Sequence, residues 1–232
     1  MSDLLGPRFD YEANPFYGCP QWEYYWFRKR QLVLKLVRRH KALLLSTDRG
    51  TWKCADIGCG GGADLFLLRS AVSMVKGAEF IGVEANPKGL HVLQLRKEYF
   101  GPDDVKVVNS AITKGLPFAD GELDFIFCSE VVEHLERPQV SFREIHRTLK
   151  PKGHLLLTTP NEPNILQRSF WSRSRRDQMR EEVVAAALVI GNVTLYGHIS
   201  LKPYREWRNE LESAGFEEID YERGAIAYSL GY

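Results

Sequence analysis

The sequence predicts an α/β protein: a doubly wound, mostly parallel sheet of six to seven strands, with helices on both faces in a three-layer α/β/α arrangement and an inserted lid segment. Three observations predict it. Short apolar runs alternate with longer helical patterns from about residue 51 to 159. A run of glycines follows the first of those strands, at the edge where such sheets bind ligands. Residues 161–200 then break the alternation with a stretch that is rich in arginine and has no clear strand.

The elements follow in order. Residues 24 to about 45 read as a basic helix, with seven Lys/Arg and no acid between Tyr24 and Thr47. At 100° per residue Val33, Leu36, Val37, Leu43 and Leu44 share one face and Arg28, Lys35, Arg38 and Arg39 another. The apolar face is expected to pack on the domain and the other to be a basic ledge. Thr51–Ile57 is the first buried strand, Leu65–Val75 the helix after the glycines, and Glu79–Val83 the second strand. Proline opens helix Pro87–Phe100, and Val105–Asn109 is the third strand. The turn Ala119-Asp120-Gly121 precedes the fourth strand, Leu123–Ser129. Helix Pro138–Leu149 is expected to stop at Pro151-Lys152-Gly153, with His154–Thr159 as the fifth strand. Helix Pro203–Ala214 closes at Gly215, and Phe216–Tyr221 is the sixth strand. A seventh strand has to be a tight hairpin through Arg223-Gly224, or it is missing. These elements divide the chain into an aromatic and basic cap helix region (1–48), a binding core (49–161), a lid or substrate insertion (162–202), and a helix and strand that complete the core (203–232).

Composition excludes several classes. The 232 residues are 44% hydrophobic and 26% charged, which is globular rather than disordered or fibrous. A net charge of +1 excludes a surface built throughout for nucleic acid, though not a local basic patch. Cys19, Cys54, Cys59 and Cys128 form no C-x-x-C pair, so neither a zinc ribbon nor a disulfide scaffold is indicated. Residues 1–20 hold no apolar core of signal-peptide length, and the run Val183–Ile190 falls short of the ~20 residues that span a bilayer. The expectation is a cytoplasmic chain.

The chemistry concentrates after the first two strands. Ala55-Asp56-Ile57-Gly58-Cys59-Gly60-Gly61-Gly62-Ala63-Asp64 joins a strand to a helix, and glycines there let the backbone approach a ligand. Glu84 closes the second strand with a carboxylate placed to read ribose hydroxyls. The loop alone also fits a dinucleotide fingerprint, so the pair indicates an adenosine-type cofactor without saying which. A nucleotide dehydrogenase would need a second mononucleotide half, which residues 161–200 do not provide.

Asp56 moves that choice. With it, ADIGCGGG (55–62), IGVEANP (81–87), LPFADGELDFIFCSEVVEHL (116–135) and LKPKGHLLLTTPN (149–161) resemble the class I S-adenosylmethionine-dependent methyltransferases, in the order and spacing of that Rossmann-like family. The resemblance implies S-adenosyl-L-methionine as cofactor. Gly58, Cys59 and Gly60 would cradle the methionine moiety, with Asp56 near its amino group and Glu84 on the ribose diol. Ala85, Asn86, Ser110 and Ala111 would flank the adenine, and Ser129 would line the same pocket. Many members carry an acid after the third strand, whereas this chain reads Asn109-Ser110-Ala111, so backbone groups are expected to read the adenine amino group.

A second constellation is Glu130-x-x-Glu133-His134, with His198 far downstream. Spacings of three and four bring such side chains together on one helical turn. Two carboxylates with imidazoles suit a hard or borderline divalent cation, which makes Glu130, Glu133, His134 and His198 a candidate metal set. The set resembles the ubiquinone-biosynthesis O-methyltransferases of the type 11 group, which implies Mg2+ or another divalent cation, and the small-RNA 3′-terminal 2′-O-methyltransferases. His198, His134 and Glu133 are the candidate catalytic groups, since an acceptor hydroxyl needs a base or a metal. The expected reaction is O-methylation of a small-molecule, glycan or lipid-linked acceptor. RNA 2′-O-methylation is the first alternative, and a non-catalytic cofactor-binding partner subunit is the alternative of another class. Basic and aromatic residues at 16–41 and 168–180 point to an anionic, glycosylated or membrane-associated acceptor, with peripheral contact to a membrane.

Overall fold

The computed structural model describes residues 20–44, 51–72, 75, 77–101, 103–159, 200, 202–222 and 225–230. His198, with all of the expected insertion except Ser200 and Lys202, lies outside the described residues. Seven strands form one sheet: β1 (Lys53–Ile57), β2 (Glu79–Glu84), β3 (Val105–Asn109), β4 (Leu123–Ser129), β5 (Leu149–Thr158), β6 (Phe216–Glu222) and β7 (Ala225–Leu230). Their spatial order is β3-β2-β1-β4-β5-β7-β6. The first five run parallel, and β7 is antiparallel to both β5 and β6. This is the doubly wound α/β architecture that the alternation predicts.

Why these runs sit in the middle of a sheet is visible in β4, where Leu123 through Cys128 are all buried. A strand covered on both faces reads as continuously apolar. Successive residues point to opposite layers. Phe125 and Phe127 join Cys54, Phe80 and Leu156 on one side, while Ile126 and Cys128 join Ala55, Ile81 and Leu157 on the other. The first layer is closed by α1 (Pro20–Arg39), α3 (Ala63–Ala71) and α4 (Pro87–Phe100), through Val33, Leu36, Val37, Leu65, Leu68 and Leu93. The second is closed by α5 (Pro138–Thr148) and α6 (Tyr204–Ser213), through Phe142, Ile145, Trp207 and Leu211.

Two expectations change, and an alternative left open is decided. The single basic helix is α1 followed, after His40, by the short α2 (Lys41–Leu44). The break is where α1 is tied down: Arg39 Nη1 and His40 Nε2 both reach Asp220 Oδ2 on β6, at 2.6 and 2.8 Å. The expected stop at Pro151-Lys152-Gly153 lies inside β5, because Leu149 already pairs with Leu123 before the register shifts to His154 opposite Phe125. Lys152, at φ 61°, takes up the extra residues of that irregularity. The seventh strand exists. β7 forms a hairpin with β6 but also inserts between β6 and β5.

Candidate active site

The carboxyl ends of β1, β2 and β4 meet around the glycine loop. Gly58 N and Cys59 N both donate to Val83 O, at 2.8 and 3.2 Å, so the loop hangs from the end of β2. Cys59 Sγ lies 3.7 Å from Gly60 O. Gly58 and Gly60 have φ of 70° and 53°, left-handed values that glycine takes without penalty. They differ in surroundings. A Cβ on Gly58 would lie 2.5 Å from Val131 Cγ2, whereas one on Gly60 would meet nothing within 4 Å. Gly58 is therefore a packing glycine, and Gly60 faces open space.

Glu84 does more than its sequence position announced. Its Oε2 accepts from Gly60 N at 2.7 Å, and its Oε1 accepts from Ala85 N and Asn86 N at 2.8 and 2.7 Å. One carboxylate thus pins the glycine loop to the start of α4, which Asn86 caps by accepting from Lys88 N. An ionised carboxylate has about four acceptor positions, and three of Glu84's are in use. Ser110 sits across from it, its N donating to Glu84 O, while its hydroxyl donates to Gly115 O. Ala111 caps the 3-10 turn Ile112–Lys114.

Asp56 is 2% exposed, and its Oδ2 has no hydrogen-bond partner. Burial, then the charge of Asp64, pushes its carboxyl well above the usual range, against the pull of Lys29. Lys29 is the residue beside this site that the sequence did not single out. It lies on α1, its side chain is only 4% exposed, and its Nζ stands 2.8 Å from Ser129 Oγ and 3.2 Å from Asp64 Oδ2. Burial raises the Asp64 carboxyl, but Lys29 and Arg30 outweigh it and hold Asp64 low. The signal was present: at 100° per residue Lys29 falls on the apolar side of its helix, beside Leu36 and Val33.

From Lys29 a one-way chain runs across the strand ends. Lys29 donates to Ser129 Oγ at one end, and at the other Thr158 spends its one hydroxyl proton on Glu130 Oε1 at 2.9 Å, so the Ser129 hydroxyl is the donor to Thr158 Oγ1 at 2.8 Å. Glu130 holds φ 55°, a left-handed conformation that non-glycine residues adopt at a cost. At ordinary positions glycine is less stable than alanine by about 0.5–1 kcal/mol. Here the order is expected to invert, with Glu130→Gly melting above Glu130→Ala in paired thermal unfolding curves. The usual order would show that this backbone is unstrained.

Glu133 is fully buried, and its Oε2 accepts from Thr159 Oγ1 at 3.1 Å. Burial, then the neighbouring Glu130 carboxylate, pushes it up to about 8. His134 Nε2 stands 3.9 Å from Glu133 Oε1. The three do not share a helical turn: Glu130 precedes a 3-10 turn, Val132–His134, and its carboxylate turns to Thr158. Among the described residues no group of three or more His, Cys, Asp or Glu is arranged to hold a metal ion. A metal held by the expected set therefore stays a proposal, and no catalytic step is routed through one. The set's fourth member, His198, lies outside the described residues. Ser200 donates from its N to Glu133 O at 3.0 Å and from its hydroxyl to Leu135 O at 2.6 Å, so the chain re-enters beside this turn.

Residues 55–157, from within β1 to near the end of β5, match the family model of the methyltransferase domain. That match covers a little under half of the chain. The ubiquinone biosynthesis O-methyltransferase of Pseudomonas aeruginosa is 32% identical over 111 residues, 47% of this chain and 44% of that protein. The one from Dechloromonas aromatica is 32% identical over 108 residues, 46% of this chain and 43% of that protein. The matched chain thus spans less than half the length of these relatives. Among solved structures, the YcgJ protein of Bacillus subtilis is 21% identical with a TM-score of 0.59, covering 84% of this chain and 71% of its own. Phosphoethanolamine N-methyltransferase 2 of Haemonchus contortus, solved with S-adenosyl-L-methionine, is 21% identical with a TM-score of 0.54, covering 79% of this chain and 38% of its own. At such identities the structures establish the fold alone. Among the described residues no helix is long and apolar enough to cross a membrane.

Proposed function

We propose that the chain is an S-adenosylmethionine-dependent methyltransferase acting on an oxygen of a small-molecule, glycan or lipid-linked acceptor. One observation carries the reading. Asp56 offers a buried carboxylate oxygen without a partner, at the end of β1 and beside a glycine that faces open space. A buried acceptor of that kind calls for a cationic donor, and the amino group of S-adenosylmethionine is one. Glu84 has an acceptor position left for a ribose hydroxyl. Ala85, Asn86, Ser110 and Ala111 stand at the neighbouring strand ends, and Gly60 leaves room for close approach.

When bound, the cofactor supplies a methyl group on a sulfonium, ready for direct displacement. The chain's part is to hold the donor still and bring the acceptor into line, an effect that can supply up to about 7–11 kcal/mol. It must also take a proton from an acceptor hydroxyl. His198, His134 and Glu133 are our candidates for that base. The choice of oxygen rests on the relatives named as O-methyltransferases. The arginine-rich residues 162–202 are proposed to meet the acceptor.

Calorimetry with S-adenosylmethionine across pH tests the carrying observation. A cationic amino group needs Asp56 ionised, and the folded protein holds its carboxyl raised. Binding at mildly acidic pH must therefore expel a proton, and affinity should rise as pH rises until Asp56 is ionised unaided. Asp56→Asn should bind weakly and lose that pH dependence. An Asp56→Asn variant that binds as tightly as wild type would sink the reading. Release of S-adenosylhomocysteine in the presence of catechols, glycans or RNA 3′ ends then separates an enzyme from a cofactor-binding subunit.

A further inference from the structure

The two faces of α1 are sharply divided. Lys29, Val33, Leu36 and Val37 are buried, while Phe27, Arg28, Gln31, Lys35, Arg38 and Arg39 are exposed. At 100° per residue the exposed six fall within about 120° of arc, opposite the buried four, and run about 18 Å along the helix. Four of the six are cations, and no acid occurs between Tyr24 and Thr47. Phe27, at one end of the stripe, is 57% exposed. The helix cannot roll to hide this face: Lys29 and Arg30 hold Asp64 on one side, and Arg39 and His40 hold Asp220 further along.

We propose that the outer face of α1 is a docking surface for an anionic phospholipid bilayer. Charge complementarity selects the class of partner, because Arg28, Lys35 and Arg38 attract acidic headgroups and the six exposed positions include no acid, while Arg39, the fourth cation, is turned to Asp220. The shape favours a bilayer over a polynucleotide. A straight, fixed helix face meets a plane along its whole length. The stems of Arg28, Lys35 and Arg38 lie along the interface with their heads in water, and the Phe27 ring enters among the headgroups. With a net charge of only +1, the attraction is local to this side of the protein. Lys29 and Arg30 reach Asp64 beside the glycine loop from the inner side of the same turn, so a bilayer on Arg28 lies about one helix diameter, ~10 Å, from the candidate site. The inference stands on α1 alone, whichever reaction the core performs.

The full chain is sedimented with vesicles of phosphatidylcholine alone and of phosphatidylcholine with phosphatidylserine. Wild type is expected in the pellet only with the acidic vesicles, and less so as salt rises. Reversing Arg28, Lys35 and Arg38 to Glu together should lower the partition coefficient by more than about tenfold, with Phe27→Ser lowering it several-fold. All four positions are exposed, so melting temperatures should hold. If the triple reversal melts early, Arg28→Gln/Lys35→Gln/Arg38→Gln takes its place with the same expectation. Failure to bind acidic vesicles, or equal binding by the triple variant, overturns the proposal. Tighter binding to single-stranded RNA than to vesicles, lost in the same triple variant, overturns it in favour of a polynucleotide.

Discussion

Lys29→Met is expected to destabilise the protein by about 3–5 kcal/mol, the usual consequence of removing one partner from a buried ion pair. The methionine keeps the volume and the stem of the lysine, so packing against Leu36 and Val33 is little changed. What disappears is the ammonium. Asp64, 16% exposed, keeps only Arg30 of its two cationic partners, and the Ser129 oxygen loses a donor. For a chain of this length the shift in melting temperature is roughly 10 °C. Removing both charges, in Lys29→Met/Asp64→Leu, should recover part of it, because no carboxylate is then stranded. The same substitution reaches the candidate binding site. Lys29 pulls the Asp56 carboxyl down against burial, so without it that carboxyl rises further. The pH at which S-adenosylmethionine begins to bind should therefore move upward. A melting temperature unchanged to within a degree or two would mean that this ammonium is not needed where it stands.

Glu84→Ala should be nearly as damaging, but to the loop rather than to the fold as a whole. Three backbone N–H groups, of Gly60, Ala85 and Asn86, lose their common acceptor. Bonds to a charged group are worth about 1.5–3 kcal/mol each when broken singly. Sharing one carboxylate, the three will not add. Affinity for S-adenosylmethionine is expected to fall by roughly one to two decades, with a smaller loss of stability. Glu84→Gln separates two explanations. If Glu84 acted only on a ribose, an amide would serve passably. If it also ties the loop, the amide NH2 is set against backbone donors and the loss approaches that of alanine. Calorimetry on the two variants decides, and unchanged affinity in both would remove Glu84 from the site.

Much of this was legible because it is local. Strands β3 and β4 and helix α4 follow from apolar runs, a proline and a turn, and they fall where the sequence places them. Asp56 and Glu84 announce themselves by standing at the ends of such runs. What the sequence hid is long-range or conformational. The pairing of Lys29 with Ser129 joins residues that only the docking of α1 brings together. The φ of Glu130 is a backbone property without a side-chain signature, since nothing in Ser129-Glu130-Val131 asks for a left-handed residue. Spacing alone put Glu130, Glu133 and His134 on one helical turn, but Glu130 lies before the 3-10 turn that holds the other two, and its carboxylate turns to Thr158. Pro151-Lys152-Gly153 reads as a turn, yet β5 absorbs it, because pairing with Leu123 begins before it.

The placing of β7 between β5 and β6 has a kinetic consequence. The β6–β7 hairpin closes across a two-residue connection, so it can form early and by itself, within microseconds. Its union with β5 brings Ser229 opposite His154, far back along the chain, and must await collapse of the intervening segment. Until then Leu155, Leu156 and Leu157 present an unpaired apolar margin, the kind that templates association between chains. Hairpin capture would then be the late event that seals the sheet, and the speed of that sealing would govern how much nascent protein escapes aggregation.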